Sequence, residues 1–341
     1  MRIRAGYEIS YNCMQPTPML LVLSVHPSRL RDIDGPHRIN FSPLIGATEY
    51  RDLFGNICHR IIAPPGRLTI STGFVISDSG MPDAVVPEAK QHPVEELPDE
   101  TLVFLLGSRY CETDRLSDLA WSLFGGTPPG WARVQAICDY AHNWITFNYQ
   151  HADATRSAWS GHSERIGVCR DFAHLAITLC RCMNIPARYC TGYLGEFGVP
   201  VGRNPMDFSG WFEAYLDNGW HVFDARHNVR RIGRIKIAHG RDAADVAISN
   251  TFGPNRLVTF KVWSDDVTAD GTLPTADIYQ SSNGDRWRLV RDTASGRDLV
   301  QHEANAASGG HTSVSSIGAF LETGGSGPEH AALRKLIGIR Q

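Results

Sequence analysis

Along residues 2–11 apolar and polar positions alternate, placing Ile3, Ala5, Tyr7 and Ile9 on one face, which predicts a strand with one side buried. Residues 19–25 form a short apolar run that predicts a buried strand, and residues 59–63 and 68–76 predict two more around the turn Pro64-Pro65-Gly66. A small, mostly β region is expected. Periodicity then lapses over residues 77–99, where Pro82, Pro87, Pro93 and Pro98 stand among acidic residues, the pattern of a crossover or linker. Helical spacing follows. Asp114 can cap a helix with the stripe Leu116, Leu119, Ala120 and Leu123, broken at Gly125-Gly126. A second helix carries Val134, Ile137, Cys138, Ala141, Trp144 and Ile145. A third starts near Cys169, runs through Phe172, Ala173, Ala176, Leu179, Cys180 and Met183, and stops before Pro186. Strands are expected at 188–194, 211–216 and 220–225, the last two joined around Asp217-Asn218-Gly219. Beyond residue 268 the pattern predicts a hairpin of 286–290 with 298–302 around Ser295-Gly296, then a Gly/Ser/Ala stretch, then short helices at 317–321 and 330–337.

Composition narrows the classes. The chain has 341 residues, of which 42% are hydrophobic and 20% charged, so a buried core is expected and whole-chain disorder is excluded. Lys and Arg total 33 against 36 acidic residues, a net charge of -3, which argues against a dedicated nucleic-acid binder. No apolar run approaches the ~20 residues of a membrane span, and residues 1–6 lack an apolar leader core. A cytoplasmic protein without membrane partners is expected. Its eight cysteines are then thiols, and with no Cys-x-x-Cys pair neither a structural metal nor another cofactor is expected.

The sharpest chemical signal is Gly167-Val168-Cys169-Arg170-Asp171-Phe172-Ala173-His174. A glycine loop delivers a cysteine to the first turn of a buried helix, where free N–H groups and the helix dipole favour a thiolate and can hold an oxyanion. A cysteine that simply packs is the alternative, since free cysteine is among the most buried residue types. Phosphate-loop, His-Glu-x-x-His and Gly-x-Ser-x-Gly signatures are absent.

The layout resembles the transglutaminase-like superfamily of bacterial, papain-like proteins. Gly167 to Tyr193 matches the cysteine segment, with Arg170-Asp171-Phe172 and Ile185-Pro186-Ala187-Arg188. Trp211-Phe212-Glu213-Ala214-Tyr215, Trp220 and Phe223-Asp224 match the histidine and aspartate segments. The resemblance covers roughly residues 1–265 and implies an α+β fold: a β-rich N-terminal domain (1–95), a papain-like core (96–265), and a small C-terminal module (270–341). It also implies a Cys-His-Asp triad, with Cys169 as nucleophile and Asp224 as the orienting acid. The family histidine stands two residues before Trp211, where this chain has Ser209, and serine is no general base at neutral pH.

His227 is the obvious substitute base. A two-residue Asn218-Gly219 turn would put Asp224 on the face of Ser209, Trp211 and Glu213 with His227 pointing away. A three-residue turn would put His227 opposite Ser209, because a one-residue slip changes faces. His174 and Trp159 are candidates for lining a substrate cleft with Trp211 and Glu213, although core packing explains each of them as well. Glu213 and Asp224 together could be no more than a polar sheet edge. Two functions remain: a thiol hydrolase or acyltransferase acting on amides of a peptide or protein substrate, or a degenerate site that binds a peptide or partner without turnover.

Overall fold

Alternation near the chain start produces β1 (Arg2–Cys13), whose residues Ile3, Ala5, Tyr7 and Ile9 are all buried. It is followed by β2 (Thr17–Leu21), β3 (Asn40–Ser42), β4 (Ala47–Arg51), β5 (Ile57–Ala63) and β6 (Gly66–Ser77). The structure is a computed structural model that describes residues 1–199, 206–267, 272–292, 297–305, 312–322 and 327–338. The fold is α+β, in two compact units: residues 5–264, and residues 265–341 with 1–4. Strand β2 ends at Leu21, short of the expected residue 25. The chain leaves the sheet there, and Val22 N donates instead to Ile248 O.

In the first unit the crossover after β6 leads to α1 (Asp99–Leu102), α2 (Thr113–Phe124) and α3 (Trp131–Trp144). Then come β7 (Thr146–Phe147), α4 (Ala158–Glu164), β8 (Ile166–Gly167) and α5 (Cys169–Cys182). They precede β9 (Ala187–Leu194), β10 (Ser209–Leu216), β11 (Gly219–Phe223) and β12 (Arg234–Gly240). The last four form one antiparallel sheet, in the order β11-β10-β9-β12. Two later strands, β13 (Ser249–Thr251) and β14 (Asn255–Val267), return to the N-terminal strands and complete the sheets β13-β2-β5-β4 and β14-β1-β6-β3. A boundary near residue 95 therefore stays a proposal about folding autonomy. The expected stripe on α5 understates its environment. Every residue from Asp171 to Cys182 is buried, because β9 and β10 cover one side of the helix and α2, α3 and α4 the other.

The second unit is an antiparallel sheet of β15 (Thr272–Gln280), β16 (Arg286–Asp292), β17 (Asp298–Glu303) and β18 (Thr312–Ser316), in that order. With it go α6 (Ile317–Glu322) and α7 (Pro328–Leu336), and Ile278, Val300 and Leu333 form the core. The expected turn at Ser295-Gly296 lies outside the described residues.

Candidate active site

Helix α5 begins at Cys169 for a local reason. Val168 is extended, and the Asp171 carboxylate reaches back to accept the Val168 N–H at 2.8 Å. Asp171 is itself buried beside Arg156 and Arg170, at 3.5 and 3.4 Å. A Cβ on Gly167 would lie 2.7 Å from Asp171 Oδ2, so only glycine lets the loop close on that carboxylate. Wrapped this way, the loop presents Cys169 at the first turn.

Cys169 is half-buried, whereas the other seven cysteines are buried. Its electrostatics differ from the expectation of a lowered thiol. Burial pushes the thiol up, and the Asp207 and Asp224 carboxylates add to the rise. The Arg226 cation and the Gly210 backbone N–H pull the other way without reversing it. Desolvation thus outweighs Arg226 and the Gly210 N–H, and a thiol raised in this way calls for a base. Arg226 lies over the Phe147 ring at 3.9 Å and beside Tyr149. The Tyr189 hydroxyl occupies the place that a Cβ on Gly210 would take.

The hairpin register corrects both expected turns. Leu216 pairs with Gly219 and Phe212 with Phe223, and the two turn residues are Asp217 and Asn218. Both have positive φ, 47° and 61°, as a tight hairpin turn requires. Strand β11 stops at Phe223, so His227 is not on a strand at all. Asp224 Oδ1 accepts the N–H groups of Arg226 and His227 at 3.1 and 3.0 Å, and Asn228 N donates to Asp224 O. This turn folds the His227 ring back onto Asp224, where Nδ1 meets Oδ2 at 2.9 Å. The same Oδ2 accepts from Arg234 Nη2 at 2.9 Å. Burial would raise the Asp224 carboxyl, but Arg234 and His227 reverse that and hold it well below the usual carboxylate range. If Nδ1 carries its proton toward Asp224, Nε2 is the free acceptor.

Ser209 is buried at the head of β10, and its carbonyl accepts from Thr191 Oγ1 at 3.2 Å. Among the described residues no ring nitrogen is hydrogen-bonded to the Cys169 sulfur. Trp211 is buried under Arg234, at 5.1 Å. Glu213 is locked between Arg188 (Nε at 2.7 Å) and Lys236 (2.9 Å); burial would raise its carboxyl, but the two cations hold it down to about 2. His174 is fully buried, stacked on Tyr110, and accepts from Ala243 N at 3.1 Å. Trp159 is half-buried beneath Arg115, at 4.3 Å.

The structure thus brings Asp224 and His227 together, sets the Asp224 carboxylate within electrostatic reach of Cys169, and puts Glu213 in an ion-pair cluster. Sequence reasoning missed Arg226, Arg234, Asp207, Tyr149 and Tyr189. The run of arginines at 226, 230, 231 and 234 around an aspartate was the available signal for the first two. Among the described residues there is no cluster of three or more His, Cys, Asp or Glu suited to a metal, and no helix long and apolar enough to cross a membrane.

The profile of the family described as the transglutaminase-like superfamily matches residues 118–225, the segment that contains Cys169, Ser209 and Asp224. The chain is similar to a crystal structure of a presumptive cysteine protease from Cytophaga hutchinsonii, at 30% identity and a TM-score of 0.68. That match covers 83% of this chain and 95% of the other. An uncharacterized protein of Mycobacterium leprae is 39% identical over 84 residues, which is 24% of this chain and 30% of that relative's length. The periplasmic domain of TgpA from Pseudomonas aeruginosa is more distant: 15% identity and a TM-score of 0.33, over 66% of this chain and 88% of the other.

Proposed function

The chain belongs to the transglutaminase-like superfamily, and on that premise we propose that it is a thiol hydrolase of amide bonds in a peptide or protein, with Cys169 as nucleophile and His227, oriented by Asp224, as base. The base works through one bridging water, an accepted reach for general-base catalysis. The Cys169 proton passes by that water to His227 Nε2 as the sulfur–carbon bond forms at the amide carbonyl. First-turn N–H groups of α5 and the Tyr189 hydroxyl hold the oxyanion. The amine leaves with the proton from the imidazolium, giving a thioester. Water, deprotonated by His227, then releases the acid and restores the thiol. Hydrolysis is preferred to cross-linking because the related Cytophaga protein is described as a presumptive cysteine protease.

The observation that supports this reading is the 2.9 Å contact of His227 Nδ1 with Asp224, whose carboxylate acts on the half-buried Cys169. Its test is the pH dependence of Cys169 alkylation by iodoacetamide. An assisted thiol gives a limb near neutral pH that vanishes in His227→Gln. A single limb at the raised thiol value, identical in both proteins, would defeat the proposal.

A second reading is favoured by Ser209 itself: a degenerate site that binds a peptide or partner protein without turnover. It requires that amidase activity appear only when the imidazole is restored by Ser209→His.

A further inference from the structure

In a paired cysteine and histidine the imidazole has two tasks: it takes the thiol proton, and its charge then stabilises the thiolate. This chain separates them. Position 209 is a serine, which carries no charge, and the proposed base reaches the sulfur only through a water. Asp207, before β10, and Asp224, after β11, both oppose ionisation of the sulfur, and the Tyr149 and Tyr189 hydroxyls face it as neutral groups. On α5 itself Arg170 is drawn to Asp171, at 3.4 Å. A thiolate formed here calls for a cation from another element.

Arg226 is placed to be that cation. Its N–H donates to Asp224 Oδ1 at 3.1 Å, and its carbonyl accepts from His142 Nδ1 at 2.9 Å, so its backbone is held on both sides. Its guanidinium lies over the Phe147 ring and beside Tyr149, and those two rings meet edge to face at 4.9 Å. This aromatic wall stands against the cysteine loop: β7 pairs with β8 in parallel, Phe147 opposite Gly167, and Asn148 N donates to Gly167 O at 2.9 Å. Among the described residues no carboxylate is ion-paired with the Arg226 guanidinium. Asp224 is taken by Arg234 and His227, and Asp207 accepts from the Phe208 N–H. Of the groups that act on the sulfur, Arg226 does most to favour the ionised form.

We propose that Arg226 is a positioning residue: seated by Phe147 and Tyr149, it supplies beside the Cys169 sulfur the positive charge that an imidazole at position 209 would have carried. One turn, Asp224 to His227, then delivers the base and the counter-charge as two separate residues. The proposal rests on Cys169 being the nucleophile, but not on His227 being the base.

The test is alkylation of Cys169 by iodoacetamide from neutral pH into the alkaline range, in full chains that all carry His227→Gln, so that the thiol's own limb is read alone. Adding Arg226→Gln should move that limb up by about one pH unit, and Arg226→Lys in its place should reverse at least half of the shift. A limb that stays where it was in a folded Arg226→Gln would overturn the assignment. So would a shift that Arg226→Lys does not reverse, since packing on Phe147 and not charge would then be at work. If Arg226→Gln does not fold, Arg226→Met, which keeps an apolar stem on Phe147, is judged by the same criteria. Failure of the base reads differently: the wild-type and His227→Gln limbs would coincide while the Arg226 shift persisted.

Discussion

Glu213, on β10, and Asp224, in the turn after β11, are two buried carboxylates held ionised by cations, yet their partners differ in kind. Glu213 is ion-paired with Arg188 and Lys236. Asp224 divides its oxygens among Arg234, two backbone N–H groups and the His227 ring. Burial and a depressed carboxyl are common to both. What separates the two is that Asp224 holds an imidazole, whose second ring nitrogen can take up a proton, and Glu213 does not.

Asp224→Asn set against Glu213→Gln puts the largest effect on that contrast. The asparagine removes the charge that orients the imidazole and stabilises its protonated form. Hydrolysis of p-nitrophenyl acetate should fall by up to about 10⁴-fold, as in a triad that loses its acid. Glu213→Gln should leave the rate of the folded protein within a few-fold, since neither Arg188 nor Lys236 is placed beside Cys169. Equal losses in the two variants would erase the distinction.

Replacing His227 by Gln should lower the same rate by about 10²–10⁴-fold, the usual contribution of a general base. The residual activity should rise with hydroxide, since only the raised thiol then titrates. A fall confined to KM would mean that His227 contacts substrate instead of moving protons.

The next effect is on stability and isolates Glu213. Its carboxyl is held down to about 2 in the fold, against roughly 4.3 in the unfolded chain. A depressed acid stabilises above its unfolded value and loses that contribution as pH falls toward its folded value. Urea unfolding should therefore lose on the order of 3 kcal/mol from this group between about pH 5 and pH 2. Glu213→Gln should be less stable at neutral pH and should lack that part of the acid-side slope.

How much of this was legible in the sequence depended on what each signal measures. Helix α5, its terminus at Cys169 and strands β9–β11 were readable because period and turn residues are local. The fate of His227 was not. It depended on where β11 ends, and that is decided when Asp224 captures the N–H groups of Arg226 and His227 in place of further ladder bonds. The direction of the Cys169 shift was hidden for a related reason: a helix terminus is visible in sequence, but desolvation by distant elements is not. Strand β12 was missed because its pattern mixes Ile235 and Ile237 with Arg234, Lys236 and His239, polar groups that only their tertiary partners make tolerable in a strand so largely buried.

A third buried acid sharpens the contrast with the smallest effect. Asp171 touches neither the thiol nor an imidazole; it holds the Val168 N–H and two arginines. Burial raises its carboxyl despite those partners, so unlike Glu213 it is no reservoir of acid-side stability. Its task is geometric, and Gly167→Ala tests that task without touching any charge. The added methyl would meet Asp171 Cβ and Oδ2 at 2.7 Å, and the neighbour is a packed carboxylate on a buried helix, not a flexible chain end. Overpacking of this kind costs about 1–3 kcal/mol. Gly126→Ala is the control, because nothing lies within 4 Å of a Cβ there. Urea unfolding should separate the two variants. Among folded molecules of Gly167→Ala, Cys169 alkylation should slow as the helix start shifts away from Gly210. A Gly167→Ala protein that matches the control in both measurements would mean that the Asp171 wrap does not set the position of the thiol.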